Sequence, residues 1–196
     1  SRPMVARMRS LTQALTPLIS VAYGPAAASA AVIGYGSCMT AHVLLGFESG
    51  ESMLDVRVGD WAALGAAAAA IRHAVFTQEQ GIDAALDSDG ADALAVHALA
   101  VNRFGVPLGT GRLIAQSPGV SKVGRMAVIA SLRSSSVGRQ LLGALVQAAR
   151  VRGDREVMLH AQASAVGFYR AQGWLSRGAA FEEAGIEHQE MALLLS

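Results

Sequence analysis

The sequence predicts a mixed α/β domain that follows an N-terminal segment of different composition. From Met53 onward, short runs typical of strands alternate with helical segments in the order βα(α)βββαβαββ. One helical segment is rich in alanine and another is amphipathic, and such alternation is typical of α/β proteins. The chain has 196 residues, which is enough for one domain with a self-supporting core.

The two main helices are predicted from a cap and from hydrophobic periodicity. Asp60 is a good N-cap for a helix over residues 61–75, because the alanine run that follows has nearly the highest helix propensity. Val137, Leu141 and Leu145 mark the buried face of a helix over residues 136–150. The remaining predictions are an acidic, irregular segment over 76–90, strands over 54–58, 94–101, 109–115, 122–129 and 156–160, a helix over 164–172, and two short closing strands.

Residues 1–52 differ in composition from the rest of the chain. No Asp, Glu, Lys or Arg occurs from Ser10 to Phe47, and four interpretations stay open: a secretory signal, a transit peptide, a membrane anchor and a poorly ordered extension. Polar residues and Pro17 interrupt the apolar run, which disfavours a signal or a span. We therefore expect an extension over 1–52 and a folded domain over 53–196. Gly34-x-Gly36 lacks the third glycine of a dinucleotide-binding turn.

Charge and cysteine content exclude several classes of function. The hydrophobic fraction of 52% depends on 38 alanines, and the net charge of +1 provides no overall attraction to nucleic acids or anionic membranes. Neither is expected as a partner. Cys38 is the single cysteine and cannot form an internal disulfide, so a cytoplasmic location is expected. The five histidines form no HExxH motif, and no metal is expected.

The strongest local motif is an anion-binding turn, Arg133-Ser-Ser-Ser-Val-Gly-Arg139, between a predicted strand and helix. Backbone N–H groups at a helix N-terminus and the helix dipole favour a bound phosphate, and the two arginines add positive charge. No GxxxxGK pattern is present, so this is not a nucleotide-hydrolysing loop. From these residues alone, a phosphate site and a serine-capped helix with solvated arginines are equally good interpretations.

Four segments together resemble the GNAT superfamily of N-acetyltransferases. They are GTGRL (109–113), VGRMAV (123–128), LRSSSVGRQLL (132–142) and LHAQASAVGFYRAQGW (159–174), in the family's order and within residues 53–196. The late segment EEAGIEHQEM is similar to the ElaA-type bacterial subgroup. The resemblance implies a mostly antiparallel central sheet flanked by helices.

The resemblance also implies a set of site residues. Tyr169 would protonate the departing CoA thiolate; its alternative role is packing beside Phe168 and Trp174. Ser136 stands where the family pattern has a glycine, and a positive φ there would cost serine more than glycine. The residues that would bind acetyl-CoA are Met126, Ala127 and Val128 at the pantetheine arm, Arg133, Ser134, Ser135, Ser136, Val137, Gly138 and Arg139 at the pyrophosphate, and Gln162.

The implied activity is acetyl transfer from acetyl-CoA to a primary amine of a small molecule or peptide by direct attack. A general base must deprotonate the amine. Glu79 and His97 are the candidates, with Glu183 and His188 behind them, although each also fits an ordinary structural role. The alternatives are a non-catalytic acyl-CoA-binding or sensor module and an interaction domain without a ligand. The resemblance leaves a homodimer open.

Overall fold

A computed structural model describes residues 53–196 and the backbone of residues 41–43. They form an eight-stranded sheet in the order β1-β2-β3-β4-β5-β6-β8-β7. Neighbouring strands are antiparallel except β5 and β6, which are parallel. The predicted mixed, mostly antiparallel sheet is confirmed. The strands are β1 Ala41–Val43, β2 Leu54–Gly59, β3 Val96–Asn102, β4 Pro107–Ser117, β5 Val120–Val128, β6 Glu156–Gln162, β7 Leu175–Glu183 and β8 Ile186–Leu194.

The α-helices are α1 Trp61–Arg72, α2 Ala84–Asp87, α3 Val137–Arg152 and α4 Val166–Arg170. Asp60 caps α1 as predicted, accepting a hydrogen bond from the Ala63 N–H at 2.9 Å. The predicted end of this helix at Val75 is wrong, because a π-helical stretch, His73–Glu79, continues it. The short α2 lies in the segment that we expected to be irregular.

Most other boundaries differ from prediction by one to three residues, but the C-terminal part differs more. The predicted helix over 164–172 is a 3₁₀ turn, Ala163–Ala165, followed by the five-residue α4. The closing strands β7 and β8 have nine residues each and form a long hairpin rather than short strands. Nearly all of β7 is exposed, as expected for a strand at the edge of the sheet.

The central strand β3 is buried on both faces. Ala98 and Ala100 lie in the main core with Leu141 and Leu145 of α3. The alternate residues Leu99 and Val101 pack against Leu64 of α1. Because strand side chains alternate between faces, α1 and α3 cover opposite sides of the sheet. This explains why β3 is an almost uninterrupted apolar run.

A glycine on β4 brings α3 close to the sheet. A Cβ added at Gly109 would lie 2.9 Å from the Ala127 carbonyl oxygen and 3.0 Å from Cδ1 of Leu141. Any larger residue would therefore displace the helix or the neighbouring strand. The close approach at Gly109 holds the N-terminal part of α3 beside the end of β5. At its other end, α3 stops at Gly153, which adopts a left-handed φ of 87°.

Gly34, Gly36 and Cys38, on which two of the sequence predictions rest, lie outside the described residues, as does nearly all of the predicted extension. Three residues of that segment, Ala41–Val43, pair with Val56–Val58 at the edge of the sheet. No helix in the described part of the chain is long and apolar enough to cross a membrane.

Candidate active site

A cleft opens where the parallel strands β5 and β6 separate. Their pairing covers only Val120–Val123 and Glu156–Leu159. Beyond Val123, the only strand among the described residues that pairs with β5 is β4. The cleft has a volume of about 490 Å³. Unpaired backbone along one wall can accept an extended ligand in the way that a sheet edge accepts an added strand.

A β-bulge shapes the β5 wall. The register of β4 and β5 shifts between Thr110 and Arg112, so Arg125 and Met126 together face Gly111. Arg125 has a φ of 52°, which is uncommon for a residue with a side chain. Its guanidinium donates to the carbonyls of Leu86 and Asp87, so the bulge is tied to the acidic segment across the cleft.

A network of three arginines and three aspartates fixes that acidic segment. Arg112 donates to both oxygens of Asp89, at 2.7 and 2.6 Å, and shares Asp92 with the buried Arg72. Partial burial would raise the pKa of Asp92, but its bonds to Arg72 and Arg112 outweigh that effect, so its pKa lies below the ordinary value. The acidic segment is therefore a structural support as much as a charged surface.

The predicted anion-binding turn lies at the N-terminus of α3. The N–H groups of Gly138 and Arg139 donate to no acceptor within the described residues, and Arg139 is exposed. The Ser135 hydroxyl accepts from the Val137 N–H at 3.3 Å, so this serine supplies the cap. The turn thus offers two N–H donors and an unpaired guanidinium to an anion.

Ser136 does not adopt the positive φ that would cost a serine more than a glycine. Ser136 has a φ of −75°, which any residue adopts, and its hydroxyl accepts from the Gln140 side chain at 2.8 Å. The left-handed residue of the turn is Ser134, with a φ of 71°. The departure from the family glycine at Ser136 therefore causes no backbone strain.

Arg133 is held by a carboxylate. Its guanidinium forms a two-pronged ion pair with Glu79, with Nη2 2.6 Å from Oε2, and its Nε donates to the Val128 carbonyl. The hydrogen bond from Arg133 lowers the pKa of Glu79. Glu79 does not line the cleft, and its carboxylate is already engaged.

His97, the other first-choice base, also lies away from the cleft. It is 1% exposed, and its Nε2 is 2.9 Å from the Asp92 carbonyl oxygen. Burial lowers the pKa of His97, and the Trp61 ring packs against it at 4.9 Å. The structure gives His97 the role of a satisfied core histidine and does not bring it together with Tyr169.

Tyr169 lies in the wall of the cleft, at the end of α4. Its ring is buried between Phe168 and Trp174, at centroid distances of 5.0 and 5.9 Å. Burial raises the pKa of Tyr169 to about 12. Its hydroxyl has no hydrogen-bond partner within the described residues. Packing and a role for the hydroxyl are therefore compatible, because the ring is packed while the hydroxyl has no protein partner.

The other residues predicted to contact acetyl-CoA lie partly in the cleft and partly in the core. Met126 and Gln162 line the cleft, and Gln162 donates to the Gln80 side chain at 3.2 Å. Ala127 is 2% exposed and packs with Ile71 and Val75 on the α1 side. Its side chain is thus unavailable to a ligand.

Sequence reasoning missed His160, which lies on β6 at the point where the strands separate. Its Nδ1 is 2.7 Å from Oε2 of Glu183 and 3.3 Å from Nζ of Lys122. His188 also lines the cleft. The period-2 pattern of the strand could have found His160, because it lies on the same strand face as Gln162. No group of three or more potential metal ligands occurs within the described residues.

Comparison with known proteins decides the family. The acetyltransferase (GNAT) domain family matches residues 70–195, which is more than half of the chain. The chain belongs to the GNAT acetyltransferase family. The resemblance stated from the four sequence segments is therefore confirmed.

Solved GNAT-type structures share the fold of this GNAT domain. A candidate N-acetyltransferase from Lactobacillus plantarum is 29% identical, with a TM-score of 0.69 over 74% of this chain and 100% of its own. Escherichia coli ElaA is 27% identical, with a TM-score of 0.64 over 71% of this chain and 99% of its own.

Sequence relatives agree with the structures. YjcF of Bacillus subtilis, an uncharacterized N-acetyltransferase, is 34% identical over 122 residues, which are 62% of this chain and 86% of YjcF.

Proposed function

We propose that this GNAT domain transfers an acetyl group from acetyl-CoA to a primary amine of a small molecule or peptide by direct attack. The observation that carries the proposal is the cleft between β5 and β6, which has Tyr169 in its wall and the N-terminus of α3 nearby. Acetyl-CoA would supply the activated acyl group. A cytoplasmic location is part of the proposal.

The residues present fit an acyl-CoA. The β5 backbone at Met126–Val128 would pair with the pantetheine arm, and Gln162 would contact it from β6. The N–H groups of Gly138 and Arg139, with the Arg139 guanidinium, would hold the pyrophosphate. Arg133 would join them after leaving Glu79. These roles are the ones that the family resemblance implies, and the unpaired strand and the helix N-terminus support them.

Tyr169 would act on the leaving group. Because its raised pKa keeps the phenol protonated at neutral pH, the hydroxyl can donate a hydrogen bond and then a proton to the departing sulfur. The same burial excludes water from its ring. The acceptor amine would enter the cleft between Asp87 and Asp89 on one wall and Glu183 and His188 on the other.

A non-catalytic acyl-CoA-binding module is the second candidate, and it is favoured because neither first-choice base, Glu79 or His97, lines the cleft. One experiment separates the two. The chain is incubated with acetyl-CoA carrying a deuterated acetyl group and a pool of amines, and mass spectrometry detects products with the heavier label. Labelled amides and CoA release support the enzyme. CoA binding by calorimetry without any labelled product supports the binding module, and absence of binding contradicts both.

A further inference from the structure

We infer that His160, positioned by Glu183, is the general base that accepts the proton of the attacking amine. The inference rests on the proposed acetyl transfer and deepens it. His160 is the first residue of β6 beyond its last pair with β5, Val123 with Leu159. Its side chain therefore lies at the fork of the cleft.

The strand pattern directs His160 away from the main core. Val157, Leu159 and Ala161 are fully buried there, whereas His160 and Gln162 are half-buried and line the cleft. Residues two apart on a strand are separated by about 7 Å on the same face. A base at His160 would thus lie one strand repeat from Gln162, the residue expected to contact the pantetheine arm.

The shorter contact of His160 favours one tautomer. Nδ1 lies 2.7 Å from Oε2 of Glu183 and 3.3 Å from Nζ of Lys122; with the hydrogen on Nδ1 it donates to the carboxylate, and Lys122 is then a charged neighbour that makes no hydrogen bond to it. Nε2 then holds the lone pair, and it has no hydrogen-bond partner within the described residues. The Phe181 ring meets the imidazole edge-on at a centroid distance of 4.8 Å and fixes its plane. The result is an oriented imidazole with its basic nitrogen available.

The charges around the ring suit a base that must gain and lose a proton. Partial burial would raise the pKa of Glu183, but the hydrogen bond from His160 and the charges of His160, Lys122 and His188 outweigh it, so the pKa is lowered. Glu183 is therefore an anion that can stabilise an imidazolium. The groups facing His160 are Lys122 on β5, Glu183 on β7, and His188 and Glu190 on β8, with Asp87, Asp89, Arg112 and Arg125 across the cleft.

The other candidates are less suited to this role. His188 lies in the same cleft, but its Nδ1 is 2.8 Å from the Ile186 carbonyl oxygen, which is neutral. A backbone carbonyl stabilises an imidazolium less than a carboxylate does. Glu79 is paired with Arg133, and His97 is buried beneath α1. Among the described residues, His160 alone combines a place in the cleft with a carboxylate partner on Nδ1.

The reaction balances without a further reactant. The amine nitrogen forms a bond to the acetyl carbon, its proton passes to Nε2 of His160 directly or through one water, and the bond from carbon to sulfur breaks. The sulfur takes the proton of the Tyr169 hydroxyl. His160 and Tyr169 then return to their starting states by exchanging one proton through water. An amine and acetyl-CoA become an amide and CoA.

The test compares His160→Gln with Glu183→Gln. Each variant is assayed with an amine that the unmodified chain acetylates, and kcat and kcat/KM are measured from pH 5 to 10. For His160→Gln we expect kcat to fall about 10²–10⁴-fold, the usual contribution of a general base, and the acid limb of the pH profile to disappear. For Glu183→Gln we expect a smaller fall and an acid limb moved to lower pH, because the charge that stabilises the imidazolium is lost. A merely structural Glu183 would leave the limb in place.

Matched variants and binding measurements separate this inference from loss of fold and from the proposed function. His188→Gln should keep the acid limb, and the exposed His73→Gln should behave as the unmodified chain. Calorimetry with CoA should give each variant nearly unaltered affinity. If the unmodified chain is active and His160→Gln keeps its rate and its acid limb, or if His188→Gln abolishes that limb instead, the assignment of the base is overturned. If the unmodified chain acetylates no amine, the proposed function fails and the base assignment fails with it.

Discussion

At the residue scale, Tyr169 combines a packed ring with a hydroxyl that has no hydrogen-bond partner in the part of the chain that the structure describes. Tyr169→Phe keeps the ring, so we expect little change in melting temperature or in acetyl-CoA affinity. If the hydroxyl protonates the thiolate, kcat should fall about 10²–10⁴-fold, because the loss is confined to the transition state. Steady-state kinetics on a defined amine measures this.

The pH profile provides an independent check on Tyr169. Since the pKa of Tyr169 is raised to about 12, ionisation of the phenol should produce no alkaline limb in the ordinary assay range. An unchanged kcat in Tyr169→Phe, with chemistry shown to be rate-limiting, would return this residue to a packing role and leave the proton to water.

Glu79 provides a second test at this scale, because its two possible roles predict opposite results. As the partner of Arg133, Glu79 competes with the pyrophosphate, so Glu79→Gln should tighten CoA binding by about two- to fivefold, the scale of an exposed ion pair. Its kcat should stay nearly unchanged. As a general base, the same variant would lose most of its kcat without any gain in affinity. Calorimetry and kinetics on one preparation distinguish the two.

At the element scale, the turn before α3 is the part expected to hold the pyrophosphate. A Cβ at Gly138 would lie 3.4 Å from Cζ of Phe168, an ordinary contact, so Gly138→Ala should fold and serve as the control. Gly138→Asp adds a negative charge, which suits a helix N-terminus but repels a phosphate. We expect it to keep its melting temperature and to lose detectable CoA binding.

The arginine of the same turn should have a graded effect. Arg139→Ala should weaken CoA binding by about 1–3 kcal/mol, the scale of a lost charge-assisted hydrogen bond. Both effects are read by calorimetry. A folded Gly138→Asp protein with unaltered affinity for CoA would contradict the pyrophosphate role and remove the main support for the enzyme.

At the scale of the whole molecule, the domain boundary is a proposal that truncation tests. The main core is built from residues of β2 to β6, β8, α3 and α4, and all of them follow Met53. The backbone of β1 adds only a three-residue pairing at the edge of the sheet. A chain that begins at Met53 should therefore fold, with a melting temperature lowered by no more than a few degrees and unaltered CoA affinity. Insolubility or a large fall in melting temperature would show that residues 1–52 belong to the core.

Local chemistry in the sequence determined most of the elements and the turn before α3. Asp60 caps α1 because a short oxygen-bearing side chain before an alanine run satisfies a free N–H wherever the helix lies. The turn at Gly138 and Arg139 is built from residues that are neighbours in the chain. Together with the segments around Tyr169, this turn was the basis of the resemblance to the GNAT family. Such features need only contacts between residues close in the chain.

Only the tertiary structure decided which distant side chains meet. The pairing of β6 with β8 and the long hairpin of β7 and β8 bring His160 to Glu183, 23 residues further along the chain. The same packing removes His97 from the cleft and pairs Glu79 with Arg133, 54 residues away. Pairings of this range depend on strand register and on the diverging sheet, because a lone His or Glu carries no local signal of the residue it will face.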